Sequence, residues 1–169
     1  MALSIHKVTV SESTLARQLR TDQDGTDYIS LFPPVLNGYL KGAGYYSTNG
    51  PKVAVFRSAV VGAIDSGYGV VANIVARSWN RPTFYPNYDV WHYVLIDGHR
   101  GADGAKEYRI ADSAVFNGVK YWWVGEKQLV SLVSEKGIAP VPRKNANLLG
   151  MSDAQLAEFA DHMRQLGPS

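Results

Sequence analysis

The sequence changes its hydrophobic pattern near Gly67, and this change restricts the fold more than any other feature. Before Gly67, apolar residues recur three or four positions apart, most clearly over residues 53–66, which predicts helices. After it, the β-branched apolar run over residues 69–76 predicts a buried strand. Residues 91–98 and 106–112 flank a glycine-containing turn, which predicts two antiparallel strands. Helices followed by a largely antiparallel sheet predict an α+β fold rather than a doubly wound α/β fold.

Local signals predict the remaining elements. Ser11 precedes a helix-forming stretch and is expected to be its N-cap, because a serine oxygen accepts a hydrogen bond from the first turn. Pro33 and Pro34 are expected to interrupt a second helix. The further predicted elements are helices over residues 12–19, 27–40 and 126–134, and strands over residues 119–124 and 137–141.

Composition narrows the class of protein. The chain has 169 residues, of which 46% are hydrophobic, so it can bury the core of one globular domain. Its net charge is only +2, and we therefore expect no nucleic acid as a partner. No apolar run reaches the ~18 residues that a membrane-spanning helix needs, so no membrane span is expected. The opening residues do not have the pattern of a secretory signal peptide.

His92 and Asp112 are the candidate catalytic residues. With the hairpin centred near Ala102, antiparallel pairing places His92 directly opposite Asp112, so that both side chains share one face. A carboxylate beside an imidazole fixes the tautomer of the ring and stabilises its charged form, as a nucleophilic triad requires. Asp97 is an odd number of residues from His92 and is expected on the opposite face. The alternative interpretation is that a histidine at the start of a strand is structural.

Four aromatic residues form a second candidate site, in and just after a loop over residues 77–89. They are Trp79, Tyr85, Tyr88 and Trp91. They are candidates for the rim of a groove that binds substrate, either peptide or sugar. Alternatively, these rings cover one end of the sheet.

A metal site is not expected. The candidate ligands are His92, His99, Asp97 and Asp103. They do not have a metal-binding spacing such as two histidines four residues apart on a helix. The glycines are scattered and form no phosphate-binding loop, so no cofactor is expected.

Several segments, taken in order, resemble a known family. They are SESTLARQLRT, GTDYISLFPPVLNGYL, AIDSGYGVVANIVA, HYVLIDGH, EYRIADSA and YWWVGEKQLVSLVSEKGIA. The whole resemblance covers residues 3–139. This order is similar to the papain-like peptidases related to bacteriocin-processing transporter peptidases, clan CA family thirty-nine. It also resembles the version of this family found in actinobacteria and at the N-terminus of mycobacteriophage lysin A endolysins. The resemblance implies a papain-like fold, with His92 as general base, Asp112 as its orienting carboxylate, and peptide bonds of cell-wall peptidoglycan as substrate.

The absence of cysteine sets this chain apart from that family. The family begins with a glutamine for the oxyanion hole and a Cys-Gly-Pro-Ala-like turn into a helix, whereas this chain has no cysteine. Residues 1–4 resemble the end of that helix. We therefore expect a truncated peptidase-like domain over residues 1–139, a linker over 140–150 and a terminal helix over 151–169.

The resemblance and the missing cysteine lead to three expectations about activity. The first is an endolysin-type peptidase-like domain that is inactive alone, because it is a truncated gene product, the product of a misplaced start codon or one part of a split protein. It would lie in the host cytoplasm before lysis and then act at the cell wall. The second is a non-catalytic module of the same fold that binds peptide or cell wall. The third is a regulatory or structural fragment that pairs with a chain or segment carrying the missing Cys helix.

Overall fold

The computed structural model describes residues 1–143, and these form a mixed helical and β structure. The α-helices are α1 (Ala2–Ile5), α2 (Glu12–Gln18), α3 (Phe32–Tyr39), α4 (Val53–Asp65) and α5 (Glu126–Val133), with short 3-10 helices at Ile29–Leu31 and Phe116–Gly118. The strands are β1 (Val70–Ala76), β2 (Val90–Arg100), β3 (Glu107–Ala111), β4 (Tyr121–Gly125) and β5 (Gly137–Ala139). The predicted α+β class is confirmed.

The helical half largely follows local sequence signals. Ser11 caps α2 as predicted, since its side-chain oxygen accepts the backbone N–H of Thr14 at 3.2 Å. The prediction that Pro33 and Pro34 interrupt a helix over 27–40 is wrong. The α-helix begins at Phe32 and holds both prolines in its first turn, where a missing N–H removes no helical hydrogen bond.

The five strands form one antiparallel sheet in the order β4-β3-β2-β1-β5. Strand β1 is buried along its whole length, as its continuous apolar run predicts. The rings of Phe56 in α4 and Tyr108 in β3 pack at 5.3 Å between centroids. On the other face of the sheet, Phe32 packs on Tyr93 of β2 at 4.7 Å. Helices therefore cover both faces of the sheet, and this positions the middle strands inside the molecule.

An apolar cavity of about 190 Å³ lies between the N-terminal helices and the sheet. Its lining includes Leu3 of α1, Leu15 of α2, Leu36 of α3 and Leu95 of β2. The helices α1, α2 and α3 therefore pack incompletely on the face of the sheet that carries Leu95.

The chain continues along the body of the protein after β5. Pro140 and Val141, in the expected linker, are buried, and the side chain of Arg143 lies beside Gly62 of α4. The rest of the expected linker and the expected helix over 151–169 lie outside the described residues.

Candidate active site

A β-bulge interrupts the pairing of β2 with β3. Ile96 pairs with Ile110, whereas Gly98 pairs with Arg109, so that Asp97 has no partner in β3. The pairs on the side of the bulge away from the turn are therefore shifted by one position relative to the pairs beside the turn. Because side chains alternate between faces, this shift decides which residues at the far end of the hairpin lie together.

The shifted register brings Asp112 to His92 diagonally. Extending the pairing by one residue beyond Leu95 and Ala111 places Asp112 opposite Val94. Val94 is two residues from His92, so Asp112 and His92 lie on the same face of the sheet. Without the bulge, Asp112 would lie opposite Leu95 and point away from His92. The predicted direct opposition is therefore wrong, because the hairpin is not centred near Ala102 and β2 contains an extra residue. The predicted proximity of the two side chains is nevertheless found.

His92 and Asp112 are hydrogen-bonded. The Nε2 atom of His92 lies 2.8 Å from Oδ1 of Asp112, which is fully buried, while the His92 side chain is 19% exposed. An ionised carboxylate only accepts hydrogen bonds, so Nε2 carries the proton and Nδ1 of the neutral ring has a free lone pair. Within residues 1–143, Nδ1 forms no hydrogen bond.

Two further donors hold the Asp112 carboxylate. Oδ1 also accepts the backbone N–H of Ala114 at 2.9 Å, and Oδ2 accepts the hydroxyl of Tyr85. Burial alone raises the pKa of Asp112, but the hydrogen bonds from His92, Tyr85 and Ala114 together lower that pKa below its usual value. Asp112 is therefore ionised at neutral pH and accepts the hydrogen bond from His92.

Comparison with known proteins identifies the family of the chain. The sequence matches the model of the Peptidase_C39 like family over residues 1–133. The chain belongs to this family. Its match includes β2, β3 and the segment that follows β3, so His92 and Asp112 both lie within it. Neither the curated proteins nor the solved structures contain a significant match. The predicted peptidase-like assignment is confirmed.

The structure of this C39-like domain places Tyr85 away from the expected groove rim. Its side chain is buried, and its hydroxyl faces Asp112. Burial raises the pKa of Tyr85, and the hydrogen bond to Asp112 raises that pKa further, so the phenol stays protonated and donates. The expectation of a rim position is corrected: Tyr85 lies beneath the surface because its ring packs among other aromatic side chains.

The other three candidate binding residues are at the surface. Trp79 is 79% exposed, Tyr88 64% and Trp91 57%. The guanidinium of Arg77 lies 5.4 Å from the centre of the Trp91 ring, a cation–π contact that holds this ring in place. The loop of this C39-like domain therefore presents aromatic surface to solvent, and binding at that surface remains a prediction.

The four candidate metal ligands do not come together. His92 bonds to Asp112, His99 lies 2.8 Å from Asp65, Asp97 pairs with Arg109, and Asp103 lies 3.7 Å from Lys106. Over residues 1–143, no group of three His, Asp or Glu side chains is placed to hold a metal ion. The same residues include no helix with the length and apolarity needed to cross a bilayer.

The contacts of Tyr85 and Ala114 are the part of the site that sequence reasoning missed. The Ala114 contact has a local signal, because an aspartate often accepts the backbone N–H two residues later in an Asx-turn. The Tyr85 contact has no such signal, since 27 residues separate Tyr85 from Asp112.

The arrangement supplies a base and the group that orients it. Nδ1 of His92 can take a proton from a nucleophile while Asp112 stabilises the resulting imidazolium. A cysteine thiol cannot come from this chain, because the sequence contains no cysteine.

Proposed function

We propose that this chain provides the base-bearing part of an endolysin-type cysteine peptidase site that cleaves peptide bonds in bacterial cell-wall peptidoglycan. The observation that carries the proposal is the contact between Nε2 of His92 and the buried carboxylate of Asp112. It leaves Nδ1 as the proton acceptor, which is the role of a general base toward a thiol. Membership in a peptidase family supports the reaction class.

The thiol in this proposal comes from outside residues 1–169. A helical segment that carries the family's Cys-Gly-Pro-Ala-type turn, on a partner chain or another segment, would supply it. The apolar cavity beside α1 supports this proposal. A segment that covered the apolar side chains of Leu3 and Leu15 would bury their surface and so stabilise the folded protein. Such a protein would lie in the host cytoplasm before lysis and would act at the wall.

Release of amino groups from purified peptidoglycan tests the proposal. Residues 1–169 are incubated alone and with a synthetic helical peptide that begins with the Cys-Gly-Pro-Ala-type turn. We expect no release by the chain alone and release by the mixture, abolished by His92→Ala or by alkylation of the peptide with iodoacetamide. His99→Ala is the matched control, because His99 is another partly exposed histidine that bonds to an aspartate.

Two results would contradict parts of this proposal. Release from casein but not from peptidoglycan would contradict the cell-wall substrate while leaving the peptidase reaction. Release by the chain alone that iodoacetamide does not inhibit would contradict the thiol mechanism.

A non-catalytic module that binds cell wall or peptide is the second candidate function. The observation that favours it is the exposed set of Trp79, Tyr88 and Trp91, since exposed aromatic rings supply much of the contact area in recognition surfaces. Sedimentation with purified peptidoglycan tests it. Binding that survives His92→Ala but is lost in Trp79→Ala and Trp91→Ala would favour this function, with Tyr121→Ala on β4 as the exposed aromatic control.

A further inference from the structure

Tyr85 lies inside the protein, next to the candidate catalytic pair. Its side chain is 2% exposed, and its ring packs on Phe84, Phe116 and Trp122 at 5.4, 4.6 and 6.0 Å between centroids. Among residues 1–143, the partner of its hydroxyl is Oδ2 of Asp112. A hydroxyl in apolar surroundings is destabilising unless it is hydrogen-bonded, so the contact with Asp112 accounts for a tyrosine at this position.

The donors to Asp112 are divided between its two oxygens. Oδ1 accepts from Nε2 of His92 and from the backbone of Ala114, and Oδ2 accepts from Tyr85. Donors on both oxygens oppose rotation about the bond between Cβ and Cγ, because a rotation would break bonds on both sides. The carboxylate is therefore held with Oδ1 toward His92.

The loop over residues 77–89 holds Tyr85 in place. The guanidinium of Arg81 donates to the backbone oxygen of Tyr85 at 2.7 Å and to the side-chain oxygen of Asn87 at 3.2 Å. Asn117, which lies beyond Asp112 in the chain, donates to the backbone oxygen of Phe84 at 2.7 Å. The position of the Tyr85 hydroxyl is thus fixed by its own loop and by the segment that follows β3.

We propose that Tyr85 is a positioning residue that orients the Asp112 carboxylate toward His92. Tyr85 acts through Asp112 and does not touch substrate. This inference rests on the proposed roles of His92 and Asp112. It assigns to the aromatic loop a function in the site that differs from binding by its exposed rings.

Carboxyl ¹³C NMR of Asp112 in the full chain tests this inference in wild type and Tyr85→Phe. His92 and Tyr85 are the titratable side chains that contact Asp112 within residues 1–143. Loss of a hydrogen bond to a charged group should move the Asp112 titration upward by about one pH unit. The Nε2–H proton signal of His92 should broaden in the same variant, because the carboxylate is less well oriented.

Tyr108→Phe is the matched control. Tyr108 is also fully buried, and its hydroxyl donates to a carboxylate, Oε2 of Glu126, at 2.9 Å. A purely structural role of Tyr85 predicts a lower Tm in both variants and an Nε2–H signal of His92 that stays as sharp in Tyr85→Phe as in wild type. That result would overturn the proposal, whatever the shift of the Asp112 titration.

A second measurement does not depend on folding of the phenylalanine variant. Site-specific 3-fluorotyrosine at position 85 keeps the ring and makes its hydroxyl a stronger donor, so the Asp112 titration should move downward. An upward shift or no shift would contradict the positioning role. Neither readout requires peptide cleavage, so a negative cleavage assay would bear on the proposed function and leave this result intact.

Discussion

Asp112 reaches His92 from a diagonal position in the hairpin, with Oδ1 2.8 Å from Nε2. The bulge at Asp97 makes this contact possible, since an uninterrupted ladder would turn Asp112 to the other face of the sheet. A small irregularity in strand pairing therefore determines whether this domain has a base with an orienting carboxylate.

Asp112→Asn should destabilise the fold. A side-chain amide has one acceptor oxygen in place of two, so either His92 or Tyr85 loses its hydrogen-bond acceptor in a buried site. We expect the free energy of unfolding at pH 7 to fall by about 1–3 kcal/mol, measured by urea denaturation. Asp103→Asn is the control, because the Asp103 side chain is 74% exposed and its pair with Lys106, at 3.7 Å, contributes less than about 1 kcal/mol. Equal losses in the two variants would contradict the role of Asp112 as a buried acceptor.

Stability should fall in acid because Glu126 loses its charge. Arg57 holds the pKa of Glu126 below its usual value through two hydrogen bonds, at 2.5 and 2.9 Å, and Tyr108 lowers the pKa further, while burial opposes both. A carboxylate with a lowered folded pKa contributes stability that is present above its unfolded pKa, about 4.3. That contribution is lost as the pH falls through the folded pKa. Urea denaturation from pH 7 to pH 3 measures it.

The variant Glu126→Gln should reduce this pH dependence. It removes the titrating group, so its free energy of unfolding should be lower at pH 7 and should change less below pH 4 than that of wild type. Glu107→Gln is the control, because Glu107 and Arg100 form an exposed pair. A Glu126→Gln curve parallel to that of wild type would contradict the assigned role of Glu126.

Gly137→Ala should severely destabilise the protein. Gly137 has φ +124°, and an added Cβ would overlap the backbone oxygen of Thr48. That oxygen accepts the N–H of Ile138 at the edge of the sheet, so the clash also threatens β5. We expect a loss of about 3 kcal/mol or more in the free energy of unfolding.

Gly118→Ala separates the effect of backbone strain from that of the clash. Gly118 has φ +80°, and an added Cβ would meet no atom within 4 Å. Its loss should therefore be only the ~1–2 kcal/mol of a left-handed backbone. Thermal melting of the two variants compares them, and an equal loss would show that the contact of Gly137 with Thr48 is unimportant.

Much of the fold follows from the sequence because local signals and tertiary packing agree. The continuous apolar run of β1 and the cap at Ser11 needed no information from distant residues. The predicted helix over residues 27–40 is wrong because prolines break a helix in its interior but are favoured in its first turn, where α3 holds Pro33 and Pro34.

The candidate site was less accessible to sequence reasoning. His92 and Asp112 could be paired because they lie on two strands of one hairpin, although the bulge makes their actual register unpredictable from turn position alone. The role of Tyr85 depends on how a loop folds back over the sheet. Loop composition identifies aromatic residues without indicating which of them is buried.

The tautomer of His92 decides whether its ring can act as a general base. Imidazole ¹⁵N NMR of the full chain at neutral pH distinguishes the two ring nitrogens, and His92→Gln assigns the signal among the four histidines. We expect protonated Nε2, bonded to Asp112, and unprotonated Nδ1, available as a base. Protonated Nδ1 in the neutral ring would contradict it, because that nitrogen would then have no lone pair for a nucleophile's proton.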